Sequence, residues 1–345
     1  MREAHATTTR RGAARFSDGA FVAAALVATA LTALVAVGAR TWIDHPFAGF
    51  FVRADRTIAP VGRGAWKDVV AAELYGRTLL AVDGAPVATS DDVHRRVAAK
   101  PVGSPVTYTV TDGLAVATVT LPSRRFSPTD YWAVFGAYLA TGLCYVLLAI
   151  LAAWARPGDR TGRALVYLGG VAGLYMLTAA DLYPPAGSLR LHTLAAAVLP
   201  ATLLQFALAV GDTRGRFAST ALPVVWGVSL AAAASMQIAI GNPAETRWMD
   251  ATCDAALGLT LVAAAVGLAT RVRVAAESAR LVAYTALFGL GVPAVVFLAA
   301  SAFDGMPHNA SATLAFLFPL GMITAFLRND RTLGDPDVAR SPGSL

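Results

Sequence analysis

Eight stretches of this chain, at 20–38, 130–154, 164–184, 191–211, 220–240, 252–271, 280–302 and 310–327, are each about twenty residues long and dominated by Ala, Leu, Val and Gly. About twenty apolar residues in a helix cover the roughly 30 Å of a bilayer's hydrocarbon. A backbone in lipid must satisfy its own hydrogen bonds, so the pattern restricts the chain to a bundle of spanning helices. Of the 345 residues, 56% are hydrophobic and 14% charged, whereas soluble domains carry about a quarter charged residues. These figures exclude a disordered chain. The net charge of +6 sits mostly on arginines in short loops, without the aromatic-lined basic groove that nucleic acid needs.

Eight crossings return both termini to one side. Lys and Arg collect on the cytoplasmic side, and an inside N-terminus puts Arg156, Arg160, Arg163, Arg214, Arg216, Arg271, Arg273 and Arg280 in internal loops, leaving Arg190 and Arg247 in the short external ones. Both tails are basic, with Arg2, Arg10, Arg11 and Arg15 at one end and Arg328 and Arg331 at the other. The expected protein is a multi-pass protein of the cell membrane with both termini in the cytoplasm. The first run, 20–38, reads as an anchor helix after a basic tail at 1–19. A cleaved signal peptide is the alternative, with Val37-Gly38-Ala39 as its small-residue site, but the run exceeds the usual signal core.

The stretch 41–126 changes character and lies outside the cytoplasm in this topology. Thr78 to Val82 reads as a buried strand, with Asp83-Gly84 as its turn. Ser90 looks like the N-cap of a helix running to about Lys100, with Asp91 and Asp92 in its first turn. Pro105 to Thr111 and Leu114 to Leu121 alternate around Asp112-Gly113, a hairpin pattern. The fold class expected is a polytopic α-helical membrane protein with one small α+β domain.

Leu79-Leu80-Ala81-Val82-Asp83-Gly84-Ala85-Pro86-Val87, the helix with Val93 and Val97, and Gly103-Ser104-Pro105-Val106-Thr107-Tyr108-Thr109-Val110 resemble a bacterial, protease-associated PDZ domain. The chain departs from that family at Glu73-Leu74-Tyr75-Gly76-Arg77, where an acidic residue is replaced. Its counterpart of the carboxylate-binding loop, Ala48-Gly49-Phe50-Phe51, is a loose match. PDZ domains bind an extended peptide as an added strand. The resemblance therefore implies a groove walled by Gly49, Phe50, Phe51 and Val52 on one side and Val93 and Val97 on the other. The alternative is that these residues are the core of a small domain.

Phe126-Ser127-Pro128-Thr129-Asp130-Tyr131-Trp132, Ala180-Asp181-Leu182-Tyr183, Arg190-Leu191-His192 and Leu199-Pro200-Ala201, in this order, resemble the membrane sensor region of bacterial two-component histidine kinases. Those proteins place a PDZ-like extracytoplasmic domain and seven helices, here 130–327, ahead of a kinase. After the last run stands a short tail, 328–345, that reads as disordered and carries no phosphate loop. The resemblance implies a non-catalytic sensor that passes an external peptide or pH signal to a separate histidine kinase or other signalling protein. The alternatives are an adaptor recruiting extracytoplasmic proteins and, more remotely, a transporter.

No cofactor is implied. The five histidines make no metal-binding spacing, nothing resembles HExxH or GxSxG, and Cys144 and Cys253 are expected to remain unpaired. Ionisable groups beside apolar runs are the natural sites. Asp181 and His192 flank one external turn and would form a proton- or cation-sensing pair; the alternative is a hydrated interfacial Asp beside a surface His. Gln205 and Gln237 are expected to bond between helices, and Gly169 and Gly173 to let two helices approach closely. Trp42, Trp132, Tyr183 and Trp248 stand where an interfacial aromatic belt would lie.

Overall fold

A computed structural model describes residue 27 and residues 30–63, 65–155, 160–183, 187–210, 216–240, 243–272, 277–302 and 309–333. The basic tail at 1–19, the start of the first apolar run, the loop arginines Arg156, Arg214 and Arg273, and the stretch 334–345 lie outside the described residues.

The first described helix, α1, is Ala30–Arg40. It leads into a small head. There β1 (Pro46–Phe47) pairs with β6 (Arg124–Arg125), and β2 (Thr78–Val82), β3 (Ala85–Pro86), β4 (Pro105–Thr111) and β5 (Val116–Pro122) form an antiparallel sheet of order β3-β2-β4-β5. Two helices, α2 (Lys67–Ala71) and α3 (Ser90–Ala98), complete it. Asp83 and Gly84 both take positive φ, 49° and 76°, as a two-residue hairpin turn requires. The β4–β5 loop is longer than the two residues of its Asp-Gly pair. Asp112 Oδ1 accepts from Leu114 N at 2.8 Å and Ala115 N at 2.9 Å, so an Asx turn holds four residues between the strands.

The cap of α3 is Thr89, one residue earlier than Ser90. Thr89 Oγ1 accepts from Asp92 N at 3.2 Å and Asp92 Oδ2 accepts from Thr89 N at 3.1 Å, a reciprocal box that an acidic N3 residue makes possible. The helix then buries Val93 and Val97, one turn apart, among Val82, Val106 and Tyr108.

Beyond the head, α4 (Pro128–Tyr131) and a five-residue π turn lead into α5 (Ala137–Ala155). The remaining helices are α6 (Arg160–Ala179), α7 (Leu189–Ala209), α8 (Arg216–Ala239), α9 (Pro243–Val272), α10 (Glu277–Ala302), α11 (Asn309–Leu314) and α12 (Leu317–Leu333). Five described helices are long and apolar enough to cross a membrane: Pro128–Ala155, Leu189–Ala209, Thr220–Ala239, Arg247–Thr270 and Arg280–Ala299. This is a multi-pass membrane protein with a small α+β domain. Eight runs were predicted; α6 forms with twenty residues but carries Arg160, Arg163 and four glycines, while α1 and the α11–α12 pair are shorter apolar helices. α12 continues to Leu333, into the stretch expected to be tail.

Helices α5, α6, α7, α9, α10 and α12 touch in sequence and close on themselves through α12 and α5, giving a ring, with α8 outside against α7 and α9. Burial follows: 61% of the apolar window of α7 is covered by protein, against 17% for α8. Leu259, Phe288 and Val295 face outward at 74%, 69% and 67% exposure, as side chains do when lipid is the solvent. The ring is tight where α5 meets α6. A Cβ on Gly169 would lie 2.7 Å from Tyr145 O, and one on Gly173 2.8 Å from a Val146 methyl, so the expected small-residue seam is present. The expected bonds from glutamine also form: Trp226 Nε1 donates to Gln205 Oε1 at 2.9 Å, and Gln237 Nε2 donates to Arg190 O and Thr193 Oγ1, each at 3.0 Å.

Candidate functional site

Within the ring, under the head, lies a cavity of about 250 Å3. Its roof is the head segment from Arg53 to Val61 and its walls come from α5, α6, α7, α9, α10 and α11. Along α9 the lining runs from Asp250 through Asp254 and Leu257 to Leu261, and along α7 from His192 through Leu199 to Leu203. At 1.5 Å per residue each path is about 16 Å long. Polar groups gather at the roof end, and the far end is Leu168, Leu203, Leu261 and Leu290.

The roof is fastened by charges. Arg53 forms an ion pair with Asp250. Asp55, with 4% of its side chain exposed, lies 3.7 Å from Arg247 Nε and accepts from Thr57 N and Thr57 Oγ1 at 3.0 and 2.8 Å. Arg247 also donates to Thr78 Oγ1 at 2.7 Å. On the other flank Arg63 donates to Asp130 Oδ1 at 2.7 Å, and Asn309 exchanges two hydrogen bonds with the Gly62 backbone at 3.0 and 3.2 Å.

Between these fastenings runs a second seal, of aromatic rings. Phe47, Phe51, Trp66 and Phe126 of the head share one core with Val35 and Ala39 of α1, Phe135 and Leu139 before and in α5, and Leu177 and Tyr183 at the end of α6. Phe51 and Tyr183 stack with centroids 4.3 Å apart. Tyr183 is thus 5% exposed inside the junction, whereas Trp132 and Trp248 stand outward at 68% and 73%. A belt residue was expected at 183; burial against Phe51 explains the difference.

The six residues expected to wall a peptide groove are all buried. Phe50, Val52, Val93 and Val97 lie in the head's core at 0–1% exposure, and Phe51, at 0%, belongs to the junction. Gly49 is buried with φ +86° beside Arg124 and Val69. Trp42, from the turn after α1, lies edge-on against His94 of α3 at 4.3 Å. His94 Nε2 has no hydrogen-bond partner, and burial pushes the His94 pKa from 6.5 to about 3. Burial likewise lifts the Tyr75 phenol to about 12.

Asp181 and His192 take separate partners. Asp181 Oδ2 accepts from Ser188 N at 2.9 Å and from the Ser188 hydroxyl, closing the turn before α7. His192 stacks on Tyr175 at 4.5 Å, with Nδ1 3.2 Å from Tyr175 O. The same nitrogen is 3.2 Å from Thr178 Oγ1; a carbonyl can only accept, so the tautomer with hydrogen on Nδ1 suits the Tyr175 contact. Of the pair, His192 lines the cavity.

The sequence reading passed over Arg53, Asp250, Asp254, Tyr138, Tyr145 and Tyr175. Two signals were available: carboxylates one turn apart at the head of an apolar run, and tyrosines seven residues apart, at 138 and 145, on one face of a spanning helix. Tyr138, Tyr145, Tyr175 and Tyr183 all line the cavity.

Comparison of the chain with protein-family models, curated proteins and solved structures finds no match in any of the three. Fold and cavity together define a class: a multi-pass membrane protein whose small head roofs a chamber among its helices.

Proposed function

We propose that the chain is a non-catalytic membrane receptor, with the head outside the cytoplasm, both termini in the cytoplasm and eight crossings, that passes an external signal to a separate cytoplasmic signalling protein. The PDZ-like and kinase-sensor resemblances support this reading. The observation that carries it is the single core shared by head and bundle, in which Phe51 stacks on Tyr183 at the end of α6. An adaptor needs only a tether. A receptor needs a packed connection, because packed interfaces switch between discrete arrangements and so move a signal. With Phe50, Val52, Val93 and Val97 committed to the head's core, the reading puts the input at the roofed cavity.

The test is in-cell crosslinking of the full chain followed by purification and assay for ATP-dependent phosphorylation in the recovered complex. The expected result is a co-purifying kinase whose activity changes when Phe51 is replaced by Leu while its recovery does not. Recovery of external proteins alone would make the chain an adaptor and overturn the reading.

A further inference from the structure

We infer that the sulfurs of Met236, Met249 and Cys253 form a binding site for a soft monovalent cation, copper(I). The site lies where α8 and α9 pack together beside α7, and it does not depend on the receptor reading. Cys253 Sγ donates a hydrogen bond to Met236 Sδ at 3.5 Å. Met249 stands one turn before Cys253 on α9, and residues four apart share a helix face. Met236 is buried, and Met249 and Cys253, partly buried, pack against the same small cluster, whose other members are Ala197, Val198, Ala232 and Ala233. The whole chain holds six methionines and two cysteines, yet every side chain larger than valine in this cluster carries sulfur.

Methionine by itself is ordinary packing material. What sets this cluster apart is sulfur touching sulfur at a spacing close to the one a metal needs. Three ligands around an ion in one plane, with metal–sulfur bonds of about 2.3 Å, the zinc–thiolate length, stand about 4 Å from one another. The 3.5 Å contact between Cys253 and Met236 therefore has to open by only about half an ångström.

The donors select the ion. Thiolate and thioether sulfur favour copper(I), whereas magnesium and calcium take oxygen. Among the described residues no three His, Cys, Asp or Glu side chains gather to hold a metal. Asp250 and Asp254 follow Met249 and Cys253 directly in sequence, and adjacent residues on a helix do not face each other. Binding releases the Cys253 thiol proton to water and sets one thiolate against one positive charge. A divalent ion on the same three sulfurs would leave a net positive charge among alanine and valine, at a desolvation cost. Cys253 also lines the roofed cavity, which gives an ion a path to its sulfur.

The experiment uses the full chain carrying Cys144→Ser, in lipid nanodiscs under anaerobic ascorbate, titrated with copper(I) against a chromogenic copper(I) chelator. The expected result is one equivalent bound, with three sulfur neighbours at about 2.3 Å in X-ray absorption. Met236→Leu and Met249→Leu, exchanges that cores tolerate, should each weaken binding at least about tenfold. Cys253→Ser should abolish it, and Met322→Leu, in the core of the helix ring, should leave it unchanged. If a methionine variant fails to fold, the X-ray absorption of the chain with all its methionines decides. Undiminished affinity in either folded methionine variant would place the ion on a lone thiol and overturn the site. A nitrogen or oxygen shell, displacement of copper(I) by an equal amount of zinc, or no bound copper would overturn it as well, and each leaves the receptor reading to be judged by the kinase assay.

Discussion

His94 shows how one side chain reports the state of the joint between α1 and the head. It is half-buried as a residue, but its Nε2 is buried and unpartnered, and its ring is set against Trp42. The unfolded chain takes a proton near pH 6.5, whereas the folded head resists it down to about 3. Its contribution to stability is therefore complete above pH 6.5 and is lost as the pH falls from there toward 3. The melting temperature of the purified chain should drop over this range, and His94→Phe should flatten the drop; an unchanged slope would mean that His94 is hydrated. Phe51 and Tyr183 allow a second check at this scale. Stacked rings couple by about 1 kcal/mol, so the losses from Phe51→Leu and Tyr183→Leu should be non-additive in the double variant. Strict additivity would separate the two rings.

At the scale of elements, the α5–α6 seam makes the sharpest prediction. The Cβ of Gly169 would meet the backbone oxygen of Tyr145 at 2.7 Å and Ala149 N at 3.0 Å, and backbone cannot step aside as a flexible side chain does. Gly169→Val should destabilise the full chain by about 1–3 kcal/mol, seen as a lower melting temperature, whereas Gly170→Ala, whose Cβ meets nothing within 4 Å, should be close to neutral. Neutrality at both would open the seam. Elements of this kind were legible in the sequence because their causes are local: Thr78–Val82 and Pro105–Thr111 follow from alternation and turn residues, and the glycine seam from spacing. The cap of α3 moved by one residue because Thr89 and Ser90 both offer a hydroxyl, and only the position of Asp92 decides between them. The chamber was not legible. It depends on which helices close the ring, and the sequence contacts of α7 with α9, past an outlying α8, carry no periodic signature.

The whole molecule is a head clamped on a ring of helices by ion pairs at two flanks and an aromatic core between them. Arg53 and Asp250 belong to opposite sides of that joint and retain 35% and 17% side-chain exposure, enough for a reagent to reach either. The most direct measurement replaces both by cysteine in a chain whose Cys144 and Cys253 are changed to serine, and treats it in native membranes with a bismaleimide that bridges only side chains in contact. An internal link between positions 53 and 250 is the predicted result. Two cysteines that each react with a single maleimide, yet never join, would show the head standing away from the bundle and would contradict the account.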